Sequence, residues 1–252
     1  MGHDDAHSPE TQTVPAALDV STLYGYEATA DRGRSSTRSH CTASAGGLSS
    51  DRFMKRCMDL LIILLTMPLL LPALLLVAIA VRGTSPGPVF FSHRRICRHG
   101  AFFSMWKFRT MCVDSAEVLD RYLARHPEAR AEWKKTHKLR HDPRVTPVGR
   151  FLRKYSLDEL PQAWNVLTGR MSLVGPRPIV AAEVEKYREH FACYCRVKPG
   201  VTGLWQVSGR STLTYDTRVK LDCNYVENRS LLWDLRILAA TYKSVVNKDG
   251  AY

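Results

Sequence analysis

The chain has 252 residues and is 45% hydrophobic, which is enough for a hydrophobic core and excludes a protein that is disordered throughout. Its formal charge of +12 favours anionic partners: nucleic acid, an anionic membrane surface or phosphorylated small molecules. The 7 cysteines include no Cys-x-x-Cys pair, so neither a zinc site nor a disulfide framework is indicated, and reduced thiols are predicted.

The first segment, residues 1–50, is rich in Ser, Thr, Ala, Gly and Asp and has no sustained apolar period. This composition predicts a disordered tail. A secretory signal is not predicted, because no basic stretch leads into an apolar one at the start.

Residues 51–83 are predicted to form a membrane anchor. Leu60 to Val81 carry no charge, and as a helix they would be about 33 Å long, against a hydrocarbon core of about 30 Å. Pro68 and Pro72 predict a kink in its middle. Basic residues flank both ends, so the charges select neither a re-entrant helix nor a kinked spanning helix, and both interpretations stay open.

The remainder, residues 84–252, is predicted to form a folded domain. Gly/Pro turns followed by short apolar alternations predict a β-hairpin or small β element after residue 84. Helical patterns follow at Asp114 to about Arg140 with an interruption near Pro127, at Leu157–Leu167, at Val180–Phe191 and at Leu231–Val246.

The last predicted helix has an apolar stripe at helical spacing, formed by Leu231, Leu235, Leu238, Tyr242 and Val245. Such a stripe is typical of a core helix, and also of a helix that lies on the bilayer surface.

Two adjacent carboxylates, Asp158 and Glu159, stand out in "YSLDELPQAWN". Ser156 and Glu159 have the spacing of a capping box, and acidic residues are favourable in a first helical turn. Pro161 fits this interpretation poorly, because it would remove a hydrogen bond beyond the first turn.

Basic residues surround the pair: Arg144, Arg150, Arg153, Lys154, Arg170 and Arg177. A helix N-terminus among arginines suits phosphate. The ionised Asp158 could act as a nucleophile toward phosphorus. A carboxylate and a diphosphate repel each other, so this chemistry calls for Mg²⁺, with Glu159 as the natural ligand.

Three further fragments are conspicuous: "KFRTM" from Lys107, "GPRP" around Arg177 and "KPGVTGLWQVSGR" from Lys198. In the last, Thr202, Trp205 and Gln206 suit stacking and hydrogen bonding to a nucleotide or sugar. Taken singly, "GPRP" is better explained as an ordinary turn and "KPGVTGLWQVSGR" as a structural loop, and no single fragment decides the function.

In this order, "KR..D" before the proline-broken segment, "KFRTM", "DPRVTPVGRFLRKYSLDELPQAWNVLTGRMSLVGPRP" and "RVKPGVTGLWQVSGR" resemble the bacterial sugar transferases, the polyprenyl-phosphate sugar-phosphate transferases. The resemblance runs from about Lys55 to Tyr252. It is nearest to exopolysaccharide-type members that transfer galactose phosphate.

The resemblance implies a reaction and a set of site residues. Asp158 would attack the β-phosphate of a UDP-sugar, release UMP and pass the sugar phosphate to undecaprenyl phosphate. Glu159, with Asp158, would bind Mg²⁺. The residues implied to bind substrate phosphates are Lys107, Arg109, Arg153, Arg177 and Arg210, and those implied to bind the nucleotide or sugar are Thr202, Trp205 and Gln206.

It also implies an α+β, mainly helical fold with one re-entrant helix broken at Pro68 and Pro72, amphipathic interfacial helices and a small β element. The resemblance further implies that residues 84–252 are a catalytic domain on the cytoplasmic face of the bacterial inner membrane. Glucose 1-phosphate transfer and a non-catalytic lipid-binding scaffold are the alternatives. A nucleic-acid binder is not expected, because it would explain neither the anchor nor the acidic pair. Oligomeric state is not determined by the sequence.

Overall fold

A computed structural model describes residues 45–136, 139–209 and 213–246. Most of the predicted tail and Arg210 therefore lie outside the described residues. The α-helices are α1 (Ala45–Thr84), α2 (Ser115–Arg125), α3 (Pro127–Thr136), α4 (Pro147–Lys154), α5 (Gln162–Leu167), α6 (Val184–Tyr187), α7 (Phe191–Tyr194), α8 (Leu204–Val207), α9 (Tyr215–Asn228) and α10 (Leu231–Val246). The strands are β1 (Phe90–Ile96), β2 (Phe102–Phe108), β3 (Ser172–Val174) and β4 (Gly200–Thr202). The mainly helical fold with small β elements is confirmed.

The predicted anchor lies within α1, which runs for 40 residues with Pro68 and Pro72 inside it. Its Ser50–Thr84 part is long and apolar enough to cross a membrane. A single stripe that includes Asp59, Ile63 and Val81 is buried against the rest of the domain. The opposite face exposes large apolar side chains: Leu61, Leu64, Leu65, Leu69, Leu71, Leu75, Leu76 and Ile79. The predicted re-entrant arrangement stays a prediction.

Polar contacts attach the first turns of α1 to the domain. Lys55 forms an ion pair of 2.7 Å with the carboxylate of Asp234 in α10. Arg56 donates to the backbone carbonyls of Val166 (2.5 Å) and Leu167 (2.7 Å) at the end of α5. Lys55 and Arg56, the "KR" of the sequence motif, therefore bind to other parts of the domain, in addition to flanking the apolar segment.

The β-hairpin and the helix pair after the anchor are confirmed. β1 and β2 pair antiparallel, with Phe91 opposite Lys107. α2 ends at Arg125 and α3 begins at Pro127, where the interruption was predicted, because a proline supplies no N–H to continue the preceding helix.

The predicted capping box at Ser156 is wrong. Ser156 adopts the left-handed conformation (φ 55°, ψ 22°), and its side chain makes no capping hydrogen bond. The chain reverses directly after α4, where the N–H of Ser156 donates to the carbonyl of Arg153. An N-cap serine requires extended backbone, which this reversal does not allow.

The predicted helix over 157–167 is divided in two. Leu157–Glu159 form a 3₁₀ turn, and α5 begins only after Pro161, which occupies the position before its first residue. The poor fit of Pro161 to a continuous helix is thereby explained.

Two other helix predictions need correction. The 180–191 segment consists of short 3₁₀ and α pieces, interrupted at Arg188 (φ 47°). The 14-residue helix α9 was not predicted. The face it buries includes the polar Asp222, which weakens the periodic apolar signal.

Helix α10 matches its predicted bounds, but only part of the predicted stripe lies on its core face, where Leu238 packs against the cluster around Val174. The core face contains Asp234 and Ile237, whereas Leu235 is 49% exposed and Tyr242 is 75% exposed. The core interpretation of that stripe is wrong for these two residues. The interfacial alternative stays a prediction.

Parallel pairing of β3 with β4 lies at the centre of the domain. Ser172 pairs with Gly200, and Val174 with Thr202. One core cluster around Val174 packs α9 and α10 against these strands. A second cluster joins Ile63 of α1 to the hairpin and to α5.

Candidate active site

Asp158 and Glu159 lie on the 3₁₀ turn between α4 and α5 and face Lys107 on β2. The Lys107 Nζ atom is 2.6 Å from the Glu159 Oε1 atom and 3.9 Å from the Asp158 Oδ2 atom. One cation is thus shared by both carboxylates. The predicted grouping of these three residues agrees with the geometry.

The environment of Asp158 disfavours its charged form. Its side chain is 13% exposed, and burial raises the pKa of the carboxyl group, with Glu159 adding a like charge. Lys107 and Arg153 act in the opposite direction. A carboxylate that is poorly solvated and only partly neutralised is a reactive one.

Glu159 shows the opposite shift. Burial would raise its pKa, but Lys107 and Arg177, together with hydrogen bonds from Lys107 and Gln162, hold the pKa below its usual range. The two neighbouring carboxylates therefore differ in character: Glu159 is firmly ionised, and Asp158 is the more basic of the pair.

Two predicted arginines belong to this cluster. The Arg153 Nε atom donates to the hydroxyl of Thr110 (2.9 Å), and its charge lowers the pKa of Asp158. The Arg177 guanidinium acts on Glu159 and lies 5.6 Å from the centre of the Trp205 ring. Together with Lys107 they supply three positive charges around two carboxylates.

Local structure explains why these side chains converge. The amide of Asn165 on α5 bonds β2 twice, accepting from the N–H of Trp106 (3.0 Å) and donating to the carbonyl of Ser104 (2.8 Å). These bonds hold the strand of Lys107 beside α5. On the other side, Thr146 caps α4 by accepting from the N–H of Gly149 (2.9 Å), and this helix carries Arg153.

Arg109, which the resemblance implied as a phosphate ligand, is buried away from the surface. Its guanidinium donates to the carbonyls of Ser85 (2.6 Å) and Pro86 (2.8 Å), just after α1. These contacts give Arg109 a structural part, holding the end of the anchor helix to β2, and we do not include it in the site.

The predicted nucleotide-binding residues have protein partners. The hydroxyl of Thr202 is buried and hydrogen-bonds that of Thr241 (2.7 Å). Arg177 and Arg218 lie over the ring of Trp205, which is buried. The amide of Gln206 donates to the carbonyl of Val201. For Thr202 the structure favours a structural role over ligand binding. Trp205 contacts the site through Arg177, which lies over its ring.

Several residues beside Arg177 were missed by the sequence analysis. Glu183 forms ion pairs of 3.6 Å with both Arg95 and Arg218. Arg95 carries a pKa lowered by burial and by the nearby Arg177. No motif signalled these residues, because they come together from β1, the 180s segment and the unpredicted α9.

Gln162 was missed too, although a local signal existed: it lies three residues after Glu159, next to the turn. Deeper still, Asp222 of α9 accepts from the hydroxyl of Tyr187 (2.6 Å). Burial raises the pKa of Asp222 to about 7.

The donor set is compatible with a magnesium ion. Within the described ranges no group of three or more His, Cys, Asp or Glu side chains could hold a metal unaided. Mg²⁺ commonly binds through one or two carboxylates, water and substrate phosphates, which does not require such a group. Asp158 and Glu159 provide two adjacent carboxylates of this kind.

Comparison with known proteins places this arrangement in a family. The model of the family described as "Bacterial sugar transferase" matches residues 50–248. The chain belongs to the bacterial sugar transferase family. The matched range contains all the residues of the carboxylate cluster.

Three relatives illustrate the similarity. The "Undecaprenyl-phosphate galactose phosphotransferase" of Salmonella typhimurium is 52% identical over 81% of this chain and 42% of the relative. "Exopolysaccharide production protein ExoY" of Sinorhizobium fredii is 47% identical over 82% of this chain and 89% of the relative. The "UDP-glucose:undecaprenyl-phosphate glucose-1-phosphate transferase" of Escherichia coli is 40% identical over 79% and 41%.

The chain spans less than half the length of several curated relatives. It covers 42% of the Salmonella typhimurium protein and 43% of an "Uncharacterized sugar transferase" of Haemophilus influenzae. In ExoY, by contrast, the match covers 89% of the relative. The region that is shared with all of them is the one that carries the carboxylate cluster.

Proposed function

We propose that this chain is a phosphoglycosyl transferase that moves a hexose 1-phosphate from a UDP-sugar to undecaprenyl phosphate and thereby starts exopolysaccharide synthesis. The observation that carries the proposal is the carboxylate pair Asp158 and Glu159, surrounded by Lys107, Arg153 and Arg177 in a sugar transferase chain. Three cations around two carboxylates form a site for a diphosphate substrate.

Asp158 is the proposed nucleophile. Its Oδ atom forms a bond to the β-phosphorus of the UDP-sugar, and the bond from that phosphorus to the bridging oxygen breaks, so UMP leaves with both electrons. An oxygen of undecaprenyl phosphate then attacks the same phosphorus, and the bond to Asp158 breaks. The partly neutralised carboxylate, with its raised pKa, suits this role better than the firmly ionised Glu159.

The remaining residues manage charge. Asp158 and Glu159 would hold Mg²⁺, which when bound neutralises phosphate oxygens. Lys107 shields the pair from the incoming diphosphate, and Arg153 and Arg177 bind phosphate oxygens from two directions. Phosphoryl transfer depends mainly on such positioning and charge neutralisation.

Galactose is the proposed sugar. The Salmonella typhimurium relative named for galactose is 52% identical to this chain, and that of Erwinia amylovora, named for UDP-galactose, is 50% identical. Those named for glucose are 40% and 39% identical. Glucose is the alternative for the same reaction.

We also propose that α1 enters the membrane from the cytoplasmic face of the inner membrane and returns to it. The contact of Asp59 with Ser172 (2.7 Å) and the packing of Val81 against Phe108 and Leu152 lie about 33 Å apart along the helix axis. If α1 were a straight helix that spans the bilayer, its two ends would lie on opposite sides, and a domain that contacts both ends could not stay on one side. Exposed apolar residues outside α1, including Phe91, Phe151, Trp164 and Leu235, suit an interfacial position.

UMP release tests the transferase proposal. Purified protein with Mg²⁺ and undecaprenyl phosphate is given UDP-galactose, UDP-glucose and other UDP-sugars in turn. We expect UDP-galactose to give the fastest release. Absence of UMP from every sugar would overturn the enzymatic proposal, and a preference for UDP-glucose would overturn only the sugar assignment.

Trapping tests the nucleophile. With acceptor omitted, protein given UDP-sugar labelled in the β-phosphate should retain label, and Asp158→Asn should retain none. Asp120→Asn, which changes an exposed carboxylate on α2, is the matched control and should behave as the wild type does. Label that persists on Asp158→Asn would exclude Asp158.

A further inference from the structure

A second pocket, separate from the carboxylate cluster, lies on the side of the domain where α1 begins. It has a volume of about 360 Å³ and is bounded by the first turns of α1, the segment before β4 and the start of α10. Ser172, Val174 and Tyr225 contribute to its wall. None of the residues that line it belongs to the carboxylate cluster.

The pocket is strongly basic. Three acidic residues line it: Asp51, Asp59 and Asp234. Seven basic residues face them: Arg52, Lys55, Arg56, Arg98, Arg196, Lys198 and Arg229. The excess of positive charge is large for a space of this size, and it favours an anionic ligand.

The two buried carboxylates share one cation, Lys55, and each accepts a hydrogen bond from a hydroxyl group. Asp234 is paired with Lys55 (2.7 Å) and accepts from the hydroxyl of Tyr225 (2.8 Å). Asp59 accepts from the hydroxyl of Ser172 (2.7 Å) and lies 3.8 Å from Lys55. Three acidic residues face seven basic ones, so positive charge remains in excess in the pocket.

Three cations remain without an acid partner. Arg52, Lys198 and Arg229 form no ion pair within 4 Å in the part of the chain that the structure describes. Lys198 and Arg229 are also half-buried. They have lost water without gaining a carboxylate at ion-pair distance, and Asp59 and Asp51 act on them only from farther away.

These cations also repel one another. A Cβ atom added at Gly169 would lie 3.4 Å from the Lys198 Nζ atom and 3.7 Å from an Arg56 nitrogen, so the two charges share one small region. Burial, Arg56 and Arg98 lower the pKa of Lys198. Burial, Arg52 and Arg196 lower the pKa of Arg229. A bound anion would relieve this repulsion.

The position of the pocket indicates the source of the anion. Arg52, Lys55 and Arg56 lie within about two turns of Leu60, where the charge-free part of α1 begins. Basic residues beside an inserted apolar segment lie at the level of lipid phosphates. The pocket therefore faces a layer rich in phosphate diesters.

We propose that this pocket binds the phosphate of an anionic phospholipid headgroup and that the lipid stabilises the junction of α1, β3 and α10. The site is separate from the proposed transfer reaction and does not depend on it. Phosphate is the chemistry recognised, and a membrane lipid is the source.

The test measures thermal unfolding of the full chain in neutral detergent with three additives: phosphatidylglycerol, phosphatidylcholine, and inorganic phosphate at the same phosphate concentration. The pocket variant is Lys198→Gln/Arg229→Gln. The control variant is Lys134→Gln/Lys135→Gln, which removes two exposed charges from the last turn of α3. Both variants have the same net charge.

We expect phosphatidylglycerol to raise the unfolding temperature of the wild type and the control, and the pocket variant to need at least about tenfold more lipid for the same rise. Phosphatidylcholine and inorganic phosphate should have little effect. Without lipid the pocket variant should unfold no lower than the wild type, because repelling charges have been removed.

Two results would overturn the proposal. Equal responses of the pocket and control variants would mean that the lipid acts through general charge. An equal response to inorganic phosphate would mean that the ligand is soluble. If Lys198→Gln/Arg229→Gln does not fold, the test is made with Arg52→Gln, which changes an exposed residue of the pocket. This variant should also need more phosphatidylglycerol than the wild type for the same rise in unfolding temperature.

Discussion

Lys107 is the residue that links the two carboxylates of the site. Its ammonium lies closer to Glu159 than to Asp158, yet it is the strongest of the influences that lower the pKa of Asp158. The charged form of the proposed nucleophile is therefore favoured by a cation that pairs mainly with its neighbour, while burial opposes it.

Replacing Lys107 with Met should move the acid limb of the pH–rate profile. In the proposed reaction Asp158 attacks as the carboxylate. Burial already raises its pKa, and loss of Lys107 should raise the pKa further. The limb should therefore shift to higher pH. The measurement is the rate at which label passes from a UDP-sugar to the protein in a single turnover, determined at a series of pH values. This rate can be measured even in a slow variant.

Lys134→Met is the control for that shift, since Lys134 is exposed on α3. Its profile should coincide with the wild-type profile. An unmoved limb in Lys107→Met would mean that Lys107 does not tune Asp158.

Among the elements, the short parallel pair β3–β4 places the loop of Arg177 against the rest of the domain. The backbones approach so closely that a Cβ at Gly200 would lie 2.1 Å from the nitrogen of Gly175 and 2.3 Å from the carbonyl oxygen of Thr202. Both contacts are with backbone, which cannot turn aside as a side chain can. The glycines of "GPRP" and "KPGVTG" therefore serve strand packing.

Gly200→Ala should lower the stability of the domain by about 1–3 kcal/mol, as overpacking in a core does. The measurement is the unfolding temperature in detergent. Gly83→Ala is the matched control, because nothing lies within 4 Å of its added Cβ, and alanine in a helix should be neutral or stabilising. Equal unfolding temperatures for the two variants would contradict the close approach.

For the whole molecule, the main question is how α1 is placed in the membrane. Lys55 and Asp59 at one end and Val81 at the other contact the same domain. The exposed apolar face between them is then left for lipid. Both ends of α1 should lie on one side of the bilayer.

Cysteine labelling tests this placement. Ser50→Cys and Thr84→Cys, each in a background without the native cysteines, should react with a membrane-impermeant maleimide only after the inner membrane is permeabilised. Both positions are exposed, so access is not limited by the fold. Labelling of one position in intact cells would show a spanning helix.

The sequence was sufficient for features that depend on local pattern. The charge-free length of α1, the hairpin, the break at Pro127 and the bounds of α10 are each encoded in neighbouring residues. The same holds for the pairing of Asp158 with Glu159. The capping-box prediction was wrong although Ser156 and Glu159 have the right spacing. The chain reversal after α4 places Ser156 in the left-handed region, where its side chain makes no capping hydrogen bond.

By itself the sequence determined the family, the anchor segment and the carboxylate pair, because ordered motifs and apolar runs are local. Only the tertiary structure decided which basic residue serves which purpose. It turned Arg109 to the end of α1, brought Lys107 to both carboxylates and gathered Arg196, Lys198 and Arg229 around a second pocket. Residues distant in sequence come within contact distance only when the chain folds. The role of a basic side chain depends on which anionic or polar group lies near it, because the interaction energy falls with distance.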